Sequence, residues 1–201
     1  MIALSEWEHY AKQIQTLKGR LGFAGSTLTF LAYSLDLESG SVFDQLRNVH
    51  VAKPNVLYVL LSHYANARLD VNLGKLVKFR DLPGGYAYEG AFVNRAVVPI
   101  TKVFGSDPNM LVQAAKALNG IKVGYGDLSV EIPSLPRIPL TYIIWKGNDE
   151  FQASTTILFD SSGSHYLPTE DLAVLGELTT KRLKTFSEEG SGNLSSDFLL
   201  W

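Results

Sequence analysis

Two strand-like segments in the C-terminal third of the chain place the strongest constraint on its fold. Residues 140–145 and 151–159 are rich in Ile, Leu, Phe, Thr and Tyr, which are favoured or tolerated in β-strands. The segment between them, residues 146–150, contains Gly, Asn and Asp, which favour turns. A short turn joins two strands as antiparallel neighbours, so we expect an antiparallel sheet.

A helix is predicted to follow this hairpin. Leu172, Leu175 and Leu183 recur at helical spacing and predict a final helix over residues 169–186 with these side chains inward. Arg182 lies in its last turns, where a cation suits the negative end of the helix dipole. Four further helices are predicted, at residues 5–18, 54–69, 86–98 and 107–119.

Three local signals set the bounds of these earlier helices. Ser5 and Glu8 have the spacing of a capping box, which predicts that the first helix begins at Ser5. Pro54 can occupy the first position of the second helix, and Pro99 is expected to end the third. Residues 27–37 are strand-like and are followed by a polar turn, so they are expected to pair with Val42 and Phe43 as a hairpin.

A segment with three prolines divides the helical part of the chain from the hairpin. Residues 132–139 carry Pro133, Pro136 and Pro139, and proline is unfavourable inside helices and central strands. We expect a rigid, extended connector there. The fold predicted from these elements is α+β, a mostly antiparallel sheet with packed helices. It forms a single domain over residues 1–186, followed by a flexible tail, residues 187–201, with an apolar tip.

Composition disfavours several classes of protein. The chain of 201 residues has a formal charge of −2 and no cysteine. It therefore lacks the basic field typical of nucleic-acid binding and cannot hold an iron-sulfur cluster on its own thiolates. No basic and apolar export signal is visible at the start, and residues 56–61 are too short an apolar run to span a membrane. We expect a soluble, cytoplasmic protein.

The run of residues 156–171 contains the densest set of reactive side chains. Asp160, His165 and Glu170 are expected at one end of the fold, where they could hold a metal or act as acid and base. A structural interpretation stays open beside it. Thr169 can cap the final helix, and Glu170 and Asp171 can favour its positive first turn.

Two His-Tyr dipeptides provide further ligand-binding candidates. His63 and Tyr64 lie in the apolar second helix, and His165 and Tyr166 lie before the last one. An imidazole inside a pocket can serve as an axial ligand to a tetrapyrrole or as a general base. Packing of His63 in the core is the alternative. Its helical neighbours include no carboxylate to orient the ring, which disfavours a catalytic role.

A glycine-containing turn is a candidate anion site. Gly84 and Gly85 precede a predicted helix, with Arg80 nearby, and backbone N–H groups at a helix start can bind an anion. A turn that needs unusual backbone angles explains the glycines equally well. The full glycine spacing of phosphate-binding loops and dinucleotide folds is missing, as are the common hydrolase motifs.

Three stretches, residues 77–85, 135–140 and 158–172, resemble in order and spacing a prokaryotic family, domain of unknown function 3786. The resemblance spans roughly residues 20–184. Members of that family look typical of anaerobic bacteria and archaea. Some of them look like fusions to a four-cysteine iron-sulfur domain of the type found in corrinoid proteins. The resemblance implies a ligand-binding or accessory module in anaerobic cofactor or one-carbon metabolism, with a tetrapyrrole or corrinoid as the candidate ligand.

Two other functions stay open from the residues alone. One is a metal-assisted or acid/base enzyme around Asp160, His165 and Glu170. The other is a protein-interaction module that binds its partner through the apolar tip, residues 198–201.

Overall fold

The computed structural model describes residues 2–68 and 74–190. The helices are α1 (Ile2–Gln15), α2 (Asn55–Tyr64), α3 (Gly85–Phe92), α4 (Val98–Phe104), α5 (Asn109–Ala117) and α6 (Thr169–Gly190). The strands are β1 (Thr27–Phe30), β2 (Tyr33–Asp36), β3 (Val42–Asp44), β4 (Val49–His50), β5 (Leu76–Lys78), β6 (Ile121–Val123), β7 (Leu128–Leu135), β8 (Ile138–Trp145) and β9 (Ser154–Asp160).

The strands form two antiparallel sheets. The first has the order β1-β2-β3-β4, and the second has the order β5-β9-β8-β7-β6. This arrangement confirms the predicted α+β class with an antiparallel sheet and packed helices. None of the helices in the described part of the chain is long and apolar enough to cross a membrane.

The first sheet differs from its prediction at one turn. Residues 27–37 form two strands rather than one, because Leu31 and Ala32 have positive φ values of 48° and 57° and reverse the chain. Leu and Ala are unusual at such angles, so nothing in their side chains indicated a turn. The predicted hairpin with the next strand is confirmed, since Leu35 pairs with Val42.

In the second sheet, the predicted β8–β9 hairpin is confirmed, with Trp145 opposite Ser154. The prediction of an extended connector before it was wrong, because β7 and β8 form a hairpin in which Pro133 pairs with Pro139. Proline is tolerated at these positions because the β7–β8 hairpin extends past its neighbours. The β6 pairing stops at Glu131 and the β9 pairing begins at Leu140, so neither proline faces an outer strand.

The observed bounds of several helices differ from the predicted ones. Helix α1 begins at Ile2, so Ser5 lies inside it and does not cap it. The predicted stop at Pro99 was wrong, since α4 continues through this residue after a π-helical turn, Val93–Val97. In that turn the N–H of Val98 donates to the carbonyl of Val93, and Pro99 then occupies the first turn of α4, where its missing N–H is tolerated.

Helix α2 ends at Tyr64, earlier than predicted, and α6 extends to Gly190. The predicted inward side chains of α6 are confirmed, with Leu172, Leu175 and Leu183 fully buried. Of the predicted tail, residues 191–201, including the apolar tip, lie outside the described residues.

Arg182 of α6 is buried. Its guanidinium makes two hydrogen bonds of 2.7 Å to the carboxylate of Asp44 and lies over the ring of Tyr33. It also donates to the carbonyls of Leu31 and Ala32. Arg182 therefore connects α6 to the first sheet, and because α6 continues to Gly190, this cation lies before the last turn of the helix.

Candidate functional site

A cleft lies where the C-terminal end of α2 meets the segment between β9 and α6. Its volume is about 330 Å³, which is within the range of small-molecule sites in proteins. Its walls are formed by His63, Asn66, Ala67, Ser164, His165, Tyr166, Leu167 and Pro168. Two segments about a hundred residues apart in sequence thus build one concave surface.

His63 has a carboxylate partner at the rim of this cleft. Its Nδ1 lies 2.5 Å from Oδ2 of Asp171 in the first turn of α6. The side chain of His63 is 46% exposed, whereas that of Asp171 is 14% exposed. An ionised carboxylate can only accept a hydrogen bond, so Nδ1 donates. The neutral ring then carries its free lone pair on Nε2.

The absence of an orienting carboxylate near His63, expected from its helical neighbours, is therefore corrected. The partner comes from another helix, 108 residues along the chain. Asp171 was interpreted only as a favourable charge at the start of α6, and the structure adds this contact with His63. An exposed imidazole oriented by a carboxylate is the geometry found in metal-binding and general-base histidines.

The two His-Tyr dipeptides meet at this cleft. Each histidine lies on the surface of the cleft, while Tyr64 and Tyr166 are buried, with ring centroids 5.9 Å apart. The hydroxyl of Tyr64 donates to the carbonyl of Leu21 and accepts from the N–H of Arg137. The tyrosines thus form the support under the cleft, and the histidines are its accessible polar groups.

Asp160 is placed differently from the two histidines. It is buried at the end of β9, where its carboxylate accepts hydrogen bonds from the N–H of Gly74 and from the N–H and hydroxyl of Ser162. These bonds hold the turn after the strand, and Asp160 does not line the cleft. Its contacts are those of a carboxylate that stabilises a loop.

Glu170 is exposed on α6, and the neighbouring Thr169 donates its hydroxyl to the carbonyl of Pro83 at 2.6 Å. Thr169 therefore connects α6 to the 82–85 turn, and it is the first residue of the helix rather than its cap. Within residues 2–68 and 74–190, no group of three His, Asp or Glu side chains is arranged to hold a metal ion.

In the turn predicted to bind an anion, the positively charged side chain of Arg80 already has partners. Arg80 lies 3.5 Å from Glu89 and over the ring of Tyr86. Gly84 has a φ of +75°, and a Cβ on Gly85 would lie 2.0 Å from the carbonyl oxygen of Phe79. Backbone conformation and close packing thus account for both glycines.

Comparison with known proteins gives a family but no activity. A protein-family model described as Domain of unknown function (DUF3786) matches residues 21–182. The chain belongs to this family. Searches among curated proteins and among solved structures found no match.

A second recess of about 220 Å³ lies on the first sheet of the DUF3786 domain. The sequence patterns did not predict it. Ser41 and His50 line it, with the Ser41 hydroxyl 3.1 Å from Nδ1 of His50. The facing Tyr58 donates its hydroxyl to the carbonyl of Gly40. No carboxylate lines this recess to orient His50, whereas His63 at the first cleft has Asp171 as its partner.

Proposed function

We propose that this DUF3786 protein is a small-molecule-binding module, an accessory protein in anaerobic cofactor or one-carbon metabolism, and that the cleft at His63 holds its ligand. The observation that supports this best is the His63–Asp171 pair, because it orients an accessible imidazole at the edge of a cavity. Binding sites commonly combine an apolar surface with a few polar groups in fixed positions. Here the exposed Pro168 supplies apolar surface near that imidazole.

The chemistry of His63 favours a ligand with a metal centre. Metal-binding histidines usually donate their second ring nitrogen to a carboxylate or a carbonyl, which fixes the ring and raises its basicity. Asp171 has this relation to His63. A tetrapyrrole or corrinoid, the ligand class implied by the family resemblance, offers a metal that accepts one axial imidazole. His63 is the proposed axial ligand, and His165 is a second contact.

Titration of the purified protein tests this proposal. We would add hemin, or cobinamide as a corrinoid without its own lower base, under anaerobic conditions and follow the visible absorption spectrum. The wild-type protein should show a saturable change. His63→Ala should lose at least about tenfold in affinity, and Asp171→Asn should lose roughly tenfold or more, as expected for the loss of an orienting partner.

His50→Ala is the matched control for this titration. His50 is also exposed and also lines a recess, but it lies on the first sheet. Its replacement should leave the affinities for hemin and for cobinamide unchanged. His165→Ala measures how much the second imidazole of the cleft contributes to these affinities. Equal affinities in the wild-type protein and His63→Ala, or no saturable binding of either compound, would overturn the proposal.

The same pair supports a second candidate function, acid/base catalysis. A histidine oriented by a carboxylate is a common general base. The enzyme hypothesis drawn from the sequence placed this role on Asp160, His165 and Glu170. The contacts of Asp160 within its own loop make His63 the better base. Turnover that survives in His63→Ala, in a screen of small substrates, would remove this candidate.

A further inference from the structure

The recess on the first sheet has the size and lining of a pocket for one aromatic side chain. At about 220 Å³, it is smaller than the cavities of about 300–1,000 Å³ that hold drug-sized ligands. The rings of His50, Pro54 and Tyr58 line it, together with Ser39 and Ser41. An indole requires both kinds of group, because its ring packs against apolar surface while its N–H needs an acceptor.

The surroundings of this recess already contain an aromatic cluster. The ring of Trp7 lies 5.4 Å from the ring of Tyr58, and a Cβ on Gly40 would overlap the indole of Trp7. Gly40 and Tyr58 both line the recess, so one indole already packs against its wall. The hydroxyl of Ser41, which contacts His50, keeps a lone pair for a further donor. Another indole in the recess would therefore extend the cluster and find an acceptor.

The chain carries an apolar segment beyond α6, the apolar tip, which lies outside the described residues. Residues 198–201 are Phe, Leu, Leu and Trp, and a run of four apolar residues is unfavourable in water unless it is covered. Residues 191–197, which precede the tip, are mostly Gly, Ser, Asn and Asp, a composition typical of linkers. The tip thus offers an indole, that of Trp201, on a linker-like segment.

The recess is within reach of this segment from the end of α6. Arg182 binds Asp44, which places α6 beside β3, and Val42 at the other end of β3 lines the recess. Gly190 lies about 12 Å along the helix from Arg182, and Val42 lies about 7 Å along the strand from Asp44. The eleven residues after Gly190 span up to about 36 Å when extended. That length exceeds both distances together and leaves enough to cross the Arg182–Asp44 contact.

We propose that the recess on the first sheet is a docking site for the apolar tip of the same chain, with the indole of Trp201 against Pro54 and Tyr58. This goes beyond the proposed function, because the recess shares no lining residue with the His63 cleft. Tethering favours the same chain over a second copy, since a short linker gives its tip an effective concentration on the order of millimolar.

Paramagnetic broadening in NMR tests this proposal on the whole chain. The sequence has no cysteine and three tryptophans, so one introduced cysteine carries a nitroxide at a single site, and each indole N–H gives its own signal. Lys53→Cys places the nitroxide at an exposed residue beside the recess. The indole signal of Trp201, assigned with Trp201→Phe, should be lost and should return when the nitroxide is reduced. The signal of Trp145, on the second sheet, should remain.

Three control variants locate the docking site. A nitroxide at Asp149→Cys, in the exposed turn after β8, should broaden the nearby Trp145 signal and leave that of Trp201 intact. Ser41→Phe fills the recess and should restore the Trp201 signal in the protein labelled at position 53. Ser164→Phe fills the His63 cleft instead and should not restore it.

The outcomes separate docking in the recess from the alternatives. A Trp201 signal that stays sharp in the protein labelled at position 53 overturns the proposal, as does recovery in Ser164→Phe instead of Ser41→Phe. Nitroxide-labelled protein is also mixed with nitrogen-15-labelled protein that carries no nitroxide. Broadening of Trp201 in this mixture would assign the recess to the tip of a second copy and overturn docking within one chain. The titrations with hemin and cobinamide test the His63 cleft separately.

Discussion

The carboxylate of Asp44 accepts a hydrogen bond of 2.7 Å from each terminal nitrogen of the Arg182 guanidinium, and both side chains are almost fully buried. This pair joins α6 to the first sheet across 138 residues of sequence. Removal of one member of a buried pair leaves the other charge without a partner in a medium of low polarity. The pair is therefore a structural contact whose loss should destabilise the packing of α6 on the first sheet.

Asp44→Asn should lower the free energy of unfolding by about 3–5 kcal/mol, because Arg182 then lacks its counter-charge. Urea unfolding followed by circular dichroism measures this change. Arg95→Met is the control, since Arg95 pairs with Glu177 at 3.5 Å and is largely exposed. That replacement should cost less than about 1 kcal/mol. Equal, small effects of the two variants would contradict a structural role for the buried pair.

Two glycine replacements test whether Gly84 and Gly85 are required by the backbone conformation and packing of their turn. Gly85→Ala should cost about 1–3 kcal/mol, because its Cβ would overlap the carbonyl oxygen of Phe79. Gly84→Ala should cost about 1–2 kcal/mol through its positive φ alone.

Gly90→Ala is the control for these glycine variants. Gly90 lies within α3, and a Cβ there meets no atom within 4 Å. The replacement should stabilise the protein by about 0.5–1 kcal/mol, since Ala is the better helix former. Thermal unfolding of all three variants measures the order of effects. Unchanged stability in Gly85→Ala, together with loss of phosphate binding, would support the anion-site interpretation instead.

The turn between β2 and β3 should contribute a pH-dependent part of the stability. The N–H of Ser39 at 2.8 Å, with its hydroxyl, lowers the pKa of Asp36 below its ordinary value. A carboxyl whose folded pKa is lowered stabilises the protein above its unfolded pKa of about 3.9, and this contribution is lost as the pH falls through the folded value.

Asp36→Asn should therefore be less stable than the wild type at pH 7, and the difference should shrink as the pH falls below about 4. Urea unfolding of both proteins over this pH range gives the comparison. A difference that is constant with pH would show that the ionisation of Asp36 does not contribute.

Local patterns in the sequence predicted the helices and several of the strands, but not the contacts between distant elements. The β8–β9 hairpin and the buried face of α6 follow from nearby residues, and both are confirmed. The β7–β8 hairpin was missed because the tolerance of Pro133 and Pro139 depends on where the neighbouring strands stop. The spacing of residues in the sequence does not show where the pairing of neighbouring strands ends.

The candidate site shows the same division. His63 and His165 were identified from residue type alone, and the structure brings both to one cleft. Asp171 was missed as the partner of His63, because its relation to α2 depends on how α6 packs after the last strand. The His63–Asp171 contact is therefore set by tertiary packing.

In the proposed function, His63 is oriented by Asp171 and presents Nε2 to a metal-centred ligand. Nitrogen-15 NMR of the imidazoles tests it most directly, with His63→Ala to assign the signals and diamagnetic cobinamide as the ligand. We predict that the Nε2 signal of His63 shifts with saturation at one equivalent while its Nδ1 remains protonated. Cobinamide that binds without changing the His63 signals, or no binding at all, would contradict the claim.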